Sequence, residues 1–382
     1  MDNSATPNKY NIAPQLFLAF ELGNKQWKLA STIGLGQAPR LRTITAGDLA
    51  QVQAEIVRAK QRFGLAQETQ VLSCYEAGRD GFWLHRYLVH EGIDNIIVDS
   101  ASLEVNRRRR KVKTDSVDAL KLLSMLVRYH NGEPKVWHIV QVPTLEQEDG
   151  RQLHRELASL KRERTRHINR IKGLLVSQGV RLTLKKDFPE QVNSAKLWDG
   201  SALPTGLKAR VLREFDRIQL VNQHINHLHT QQRQAIRSAS DPQTKMIRQL
   251  CALRGIGPVS AWLFVHEFFG WRQFRNRRQI GTLAGLTPTP HQSGDSYREQ
   301  GIDKAGNTHI RAIAIEIAWA WLRLQPDSAL SLWYQQRFGH GNSRIRRIGI
   351  VALARKLLIA LWRYLETGEV PEGAVLKSNT VI

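Results

Sequence analysis

Four acidic residues stand where a folded chain could use them as one group. Glu21 follows the apolar run LFLAF, and Glu76 closes VLSCYE, so each marks the end of a strand candidate. Asp115 and Asp118, in KTDSVDAL, are one helical turn apart and share a helix face. Four carboxylates brought together repel one another unless cations sit among them. Mg2+ takes hard oxygen ligands and keeps company with phosphates, and Mn2+ suits the same donors. Two such ions can clamp the attacking and leaving oxygens of a phosphodiester displacement. Directly before the aspartates, NRRRRKVK supplies Arg107, Arg108, Arg109, Arg110, Lys111 and Lys113 as a cradle for phosphates. A plainer reading stands beside this one. Asp115 can cap a helix, Asp118 can meet free N–H groups in its first turn, and the two glutamates can be unrelated.

The overall charge favours the first reading. Of 382 residues, 56 are Lys or Arg and 34 are Asp or Glu, giving a formal net charge of +22. Such an excess predicts a polyanionic partner, nucleic acid before any other, held largely through phosphates. A basic membrane-surface protein would need a sustained amphipathic basic helix or a lipidation signal, and neither stands out. Cys74 and Cys251 lie in unrelated contexts, which excludes a disulfide framework or a cysteine zinc site. The start, MDNSATPNKY, has no signal architecture, and IRAIAIEIAWAWLRL is interrupted by Glu316 and too short to span a bilayer. The expected location is the cytoplasm, in association with the nucleoid.

Two further stretches could bind or cut a phosphodiester. In LRGIGPVSA, Gly255 and Gly257 flank Ile256 as in a helix-hairpin-helix turn, where glycines let backbone N–H groups approach a phosphate. An ordinary tight connection between helices reads equally well. In AGLTPTPHQSGDSYREQGIDKAGNTHIR, Ser293 falls in a loop between Pro290 and Gly294, where most serines satisfy a turn. His291 can be a base or a surface residue. Lys304, Asn307 and Arg311 are spaced to lie on a loop and helix start near a phosphate, although Arg311 also fits an exposed helix position.

The elements that must position these residues fall into three regions. Residues 14–135 read as three strands (LFLAF, WKLASTI, RLRTIT), a helix, the strand QVLSCYE, a helix, the strand IDNIIVDS and the helix SVDALKLLSMLVRY. A meander followed by alternation predicts a mixed sheet with helices on its faces, with the first and fourth strands adjacent. Residues 144–240 carry Leu153, Leu157, Leu160, Ile171 and Leu174, then Val211, Phe215, Ile218, Ile225 and Leu228, at coiled-coil spacing. Asn222 falls on the second seam. An antiparallel hairpin and a dimerising stalk both fit. Residues 243–366 are mainly helical, and 367–382 are expected to be a flexible tail. The predicted class is thus α/β plus all-α.

With those motifs in place, CYEAGRDGFWLHRYL and KTDSVDAL resemble blocks of the DEDD transposases of insertion-sequence family 110 and their relatives, the site-specific DNA invertases. The stretch around Gln292-Ser293-Gly294, Lys304, Gly306-Asn307 and Arg311 resembles the C-terminal signature of the same family. The resemblance runs from about Leu16 to Leu365. It implies a RuvC-type, ribonuclease-H-like first domain, a helical coiled-coil middle and a C-terminal transposase domain. It also implies metal binding by Glu21, Glu76, Asp115 and Asp118, and a nucleophilic Ser293 that forms a covalent phosphoserine with DNA. The family has Asp in the first strand where this chain has Glu21, whose extra methylene moves the carboxylate. The implied cofactor is Mg2+. The implied partners are donor and target DNA, a non-coding bridge RNA that reads both by base pairing, and further copies of the chain, as dimer or tetramer. A Mg2+-dependent structure-specific nuclease of the Holliday-junction-resolving kind would need the acids but not Ser293. A non-catalytic nucleic-acid-binding protein would need neither.

Overall fold

The computed structural model describes residues 14–103, 115–133, 135–293 and 296–378, with 290–293 and 296–300 described at the backbone alone. The chain divides into two compact units, 1–142 and 143–382.

The first unit is a five-stranded mixed sheet. Its elements are β1 (Leu16–Leu22), β2 (Gln26–Thr32), β3 (Arg40–Thr45), α1 (Leu49–Arg62), β4 (Val71–Glu76), α2 (Trp83–His90), β5 (Asp94–Val98) and α3 (Asp115–His130). The strand order is β3-β2-β1-β4-β5, antiparallel from β3 to β1 and parallel from β1 to β5. Apolar residues run almost unbroken through β1 and β4 because both faces of the sheet are covered. Leu16, Leu18 and Phe20, with Trp27, Leu29 and Tyr75, pack against Val52 and Ile56 of α1 and Leu84 and Leu88 of α2. Phe17 and Ala19, with Leu72, Cys74 and Val98, pack against Ala119, Leu122, Leu123 and Leu126 of α3. The mixed sheet and the adjacency of the first and fourth strands are as the sequence predicts. The unit runs past 135, since Val136 and Trp137 join the α3 core and Ile139 bridges Val98.

The second unit contains α4 (Leu145–Asp149), α5 (Gln152–Val176), α6 (Phe188–Ser194), α7 (Thr205–Ser238), α8 (Pro242–Ala252), α9 (Pro258–Phe264), α10 (Arg277–Leu283), β6 (Pro288–Ser293), β7 (Ser296–Ile302), α11 (Thr308–Leu324), α12 (Ala329–Tyr334) and α13 (Ser343–Thr367). Two π-helical turns, Val265–Phe269 and Gln335–Gly339, extend α9 and α12. Of the two readings of the middle region, the hairpin forms within the chain. Leu157 meets Val221, Ile225 and Leu228, and farther along Ile171 and Leu175 meet Val211, Phe215 and Ile218. The seam also holds His167, whose Nδ1 donates to Glu214 Oε2 at 2.5 Å, with Arg170 and Arg217 on the same carboxylate. Asn222 accepts from Arg164 at 3.3 Å.

The middle and C-terminal regions are one compact unit rather than two, because Leu153 and Ile236 of the hairpin enter the core formed by α8, α9, α11 and α13. The segment after Thr367 is not a loose tail as far as Ser378. Leu376 forms a bridge with Leu253, and Gln325, buried, bonds Val375 through both ends of its amide. Lys377 Nζ donates to the carbonyls of Cys251 and Ile256 at 2.6 and 2.8 Å. Hydrogen bonds hold this segment, with Val370 and Ala374 against the core, so its low apolar content gave little sign of docking. Among the described residues, no helix is long and apolar enough to cross a membrane.

Candidate functional site

The four carboxylates are carried to one end of one face of the sheet. Phe20 of β1 registers with Tyr75 of the parallel β4, so Glu21 and Glu76 come next, side by side, toward the carboxyl ends of these strands. By the two-residue alternation of a strand, Glu21 shares the face of Phe17 and Ala19, and Glu76 that of Leu72 and Cys74. This is the face that α3 covers. The direction of α3 is fixed by two contacts: the His130 ring lies 5.9 Å from that of Phe17, and Cys74 Sγ lies 3.9 Å from the Leu122 carbonyl oxygen. The helix therefore runs back along β1, and its first turn, with Asp115 and Asp118, lies toward the glutamate end. Asp115 is exposed, and the other three are half-buried. Both aspartates lie in the first turn of α3 as described, where the helix dipole favours negative charge.

The donor set is all carboxylate oxygen, which suits Mg2+ or Mn2+ and not the nitrogen and sulfur preferences of zinc. Among the described residues, no group of three or more His, Cys, Asp or Glu side chains is close enough to hold a metal ion. The backbone thus gathers the four acids, while their side chains do not form a closed ligand set. Arg107, Arg108, Arg109, Arg110, Lys111 and Lys113 lie outside the described residues.

The glycine turn is a tight link between α8 and α9. Ile256 N–H donates to the Leu253 carbonyl at 3.2 Å, and Gly255 takes φ +97°, a left-handed value that favours glycine at the third position of such a turn. Gly257 is extended and caps α9 without a side-chain hydrogen bond.

Ser293 is not in a loop. It is the last residue of β6 and registers with Ser296 of β7 in a two-stranded antiparallel ladder. Pro288 and Pro290 lie within β6. They are accommodated because both strands are edges and the register shifts between the two prolines. The side chains of His291 and Ser293 lie outside the described residues. The base of the ladder is fixed by backbone bonds from Asp303 to Thr287, Lys304 to Gly285 and Asn307 to Leu283. Lys304 has φ +65°, the one non-glycine residue with positive φ among those described. Arg311 Nη1 donates to the carbonyls of Lys304 and Gly306, so this guanidinium braces the loop that joins β7 to α11.

Asn307 leads to a group that sequence reading missed. Its Oδ1 accepts from the N–H groups of His309 and Ile310, capping α11, and its Nδ2 donates to Glu267 Oε2 at 3.0 Å. Glu267 stands on the first π-helical turn with its side chain 1% exposed. It also accepts from His154 Nε2 at 2.8 Å and from Arg155 Nε at 2.7 Å, both on α5. Burial pushes the carboxyl up, but the hydrogen bonds from His154 and Arg155 outweigh it and hold the group well below the usual carboxylate range. Beside it, His266 is buried with neither ring nitrogen hydrogen-bonded among the described residues. Burial, together with His154, lowers its pKa to about 4. The one sign of this group in the sequence was Glu267 within an otherwise apolar stretch, AWLFVHEFF, where an acid needs a partner. Both cysteines are buried, and burial raises the Cys251 thiol to about 11.

Comparison with known proteins places the chain among transposases. Residues 247–333, which span the glycine turn, Glu267, Ser293, Asn307 and Arg311, match the family described as "Transposase IS116/IS110/IS902 family". The "Putative transposase y4rJ" of Sinorhizobium fredii (strain NGR234) is 42% identical over 378 residues, covering 95% of each chain. The "Probable family 20 transposase" of Pseudomonas aeruginosa is 31% identical over 231 residues, covering 59% of this chain and 66% of that one. The "Transposase for insertion sequence element IS1111A" of Coxiella burnetii is 28% identical over 237 residues, covering 60% and 62%. This chain belongs to the IS116/IS110/IS902 family of transposases, and its class of activity is DNA transposition.

Proposed function

We propose that the chain cuts and rejoins DNA at the ends of an insertion sequence through a covalent serine intermediate, with its first unit acting as a RuvC-type, ribonuclease-H-like domain. The observation that carries this reading is the gathering of Glu21, Glu76, Asp115 and Asp118 at one end of one sheet face. In this reading Ser293 Oγ attacks a phosphorus, the phosphorus–oxygen bond to the leaving sugar breaks, and that oxygen departs as a hydroxyl with a proton. The phosphoserine keeps the energy of the broken ester, so a second strand's hydroxyl reseals the backbone and frees Ser293 without a nucleotide cofactor. His291 is the nearest candidate in sequence to take the serine proton. Glu21, Glu76, Asp115 and Asp118 would hold Mg2+ or Mn2+, which supplies positive charge for phosphate oxygens. The Arg107–Lys113 run, the Gly255–Gly257 turn and Lys304 would hold the nucleic acid, with Asn307 and Arg311 keeping their loop in shape.

A bridge RNA pairing with donor and target would read sequence, and the +22 charge suits a protein holding one RNA and two duplexes. In a dimer or tetramer, Ser293 of one copy would act with the carboxylates of another.

The test co-purifies the protein with its RNA, adds target DNA and Mg2+, and looks for a DNA adduct on Ser293. An adduct that Ser293→Ala abolishes supports the reading. Cleavage that persists in Ser293→Ala without an adduct means a nuclease. Function that persists after Asp115→Asn and Asp118→Asn means a binding protein.

A further inference from the structure

The face where α11, the second π-helical turn and the start of α13 meet is assigned no role by the reading above. A cavity of about 650 Å3 opens there, lined by Glu316, Trp319 and Arg323 of α11, Tyr334 and Gln335 at the end of α12, and Arg346 of α13. That volume falls within the range of sites that enclose a small organic group. Trp319 is 49% exposed, whereas Trp321 two residues on is fully buried, so one of the two indoles of α11 is left on the surface. Around it the chain is strongly basic. Arg323 and Arg346 line the cavity, Arg337 is exposed on the π-helical turn, and Arg344 and Arg347 are exposed in the first turns of α13. Among the described residues, none of these five guanidinium groups has an ion-pair partner, whereas Arg155, Arg170 and Arg217 of the same unit do. The first turns of α13, 342–348, are exposed throughout, and the π-helical turn beside them is a departure that proteins often keep at functional positions.

An exposed indole in a recess ringed by unneutralised arginines has a defined complement. The guanidinium groups match a phosphate backbone, and the aromatic face matches a base that is not already stacked in a duplex. Glu316, the one acid in the lining, is an acceptor for a base amino group. We infer that this cavity binds single-stranded DNA, with an unpaired base stacked on Trp319 and its flanking phosphates held by Arg323 and Arg346. The choice of DNA rests on the proposed strand exchange, which must unpair bases next to the cut. The site would hold a displaced strand while its partner is exchanged.

The test measures binding alone, by fluorescence anisotropy of the full-length protein with one short mixed sequence presented as labelled single-stranded DNA, as duplex DNA and as single-stranded RNA. Trp319→Ala should weaken single-stranded DNA about ten-fold, leave duplex binding unchanged, and be rescued by Trp319→Phe. The double change Arg323→Gln, Arg346→Gln should weaken the single strand and lower the slope of log affinity against log salt by about 1.4. Undiminished single-strand affinity in Trp319→Ala overturns the proposal. So does a loss confined to RNA, which would give the cavity to an RNA strand, or an equal loss for duplex, which would make the effect structural. Because no adduct is scored, failure of the Ser293 chemistry leaves this result standing, and failure here leaves that chemistry untouched.

Discussion

The Nδ2 of Asn307 lies 3.0 Å from Oε2 of Glu267, forty residues earlier in the chain. The same asparagine caps α11 through its Oδ1. One side chain therefore ties the helix that follows β7 to a buried carboxylate, which is itself held by His154 and Arg155 of α5. Replacing Asn307 should separate the two jobs. Asn307→Ser keeps a capping oxygen and loses the amide donor, at a cost of about 1 kcal/mol. Asn307→Asp also keeps the cap but sets a second carboxylate against Glu267 and should cost more. Glu267→Gln removes the charge that His154 and Arg155 share. With Arg155 partly exposed, the loss should fall near the lower end of the 3–5 kcal/mol typical of a broken buried pair. Chemical denaturation of the three variants gives the order; Asn307→Asp as stable as Asn307→Ser would rule out the coupling.

The buried His266 makes stability depend on pH. Burial and the neighbouring His154 lower its folded pKa to about 4, from the ordinary imidazole value of 6.5. Above pH 6.5 neither the folded nor the unfolded state holds the proton, and the full stability is present. As pH falls from 6.5 to 4, the unfolded chain takes up a proton that the folded chain refuses, and stability declines by on the order of 3 kcal/mol. His266→Phe replaces two unpartnered nitrogens with carbon and should lose this acid-sensitive component while matching the parent at pH 7.5. Melting temperatures from pH 4 to 7.5 decide it. Parallel curves for the two proteins would show that His266 is not the group responsible.

Gly306 is required by close approach. A Cβ there would lie 2.3 Å from the Gly285 nitrogen and 2.3 Å from the Leu283 carbonyl oxygen, both backbone atoms. Gly301 has φ +93° but nothing within 4 Å of a built Cβ. Gly301→Ala should therefore cost only its left-handed backbone, about 1–2 kcal/mol. Gly306→Ala must open the loop below β6 and β7, at about 3 kcal/mol or more. A thermal melt of each, compared with the parent, checks the order, and the reverse order would mean that the loop is not packed as described.

What the sequence disclosed follows the range of the forces involved. Glu21 and Glu76 were legible because strand periodicity is local and the order of elements makes β1 and β4 neighbours. The coiled-coil seam was legible at Leu157, Ile171 and Ile225, but His167 fills a buried position that an apolar count passes over, since Glu214 satisfies it from the other helix. β6 was hidden by its prolines, which a two-stranded ladder tolerates at an edge. The Glu267 group was hidden because its donors come from residues 154, 155 and 307, and no local spacing joins them to 267. The segment 368–378 was hidden because polar bonds dock it together with only two small apolar contacts, Val370 and Ala374.

The aspartates of α3 still admit the two readings with which the sequence began, and they predict different outcomes. If Asp115 and Asp118 serve only the helix start, Asp→Asn at either position removes a charge from the positive end of the dipole. That costs about 0.3–1 kcal/mol, is screened by salt, and leaves DNA strand exchange intact. If they serve with Glu21 and Glu76 as a carboxylate group for a divalent ion, the same change relieves repulsion between acids at one end of the sheet. Stability without metal then holds or rises slightly, stabilisation by added Mg2+ falls, and strand exchange is lost. Thermal melts with and without Mg2+, set beside an exchange assay for Asp118→Asn, separate the two. A variant that is less stable in low salt, equally responsive to Mg2+ and fully active would assign these aspartates to the helix alone.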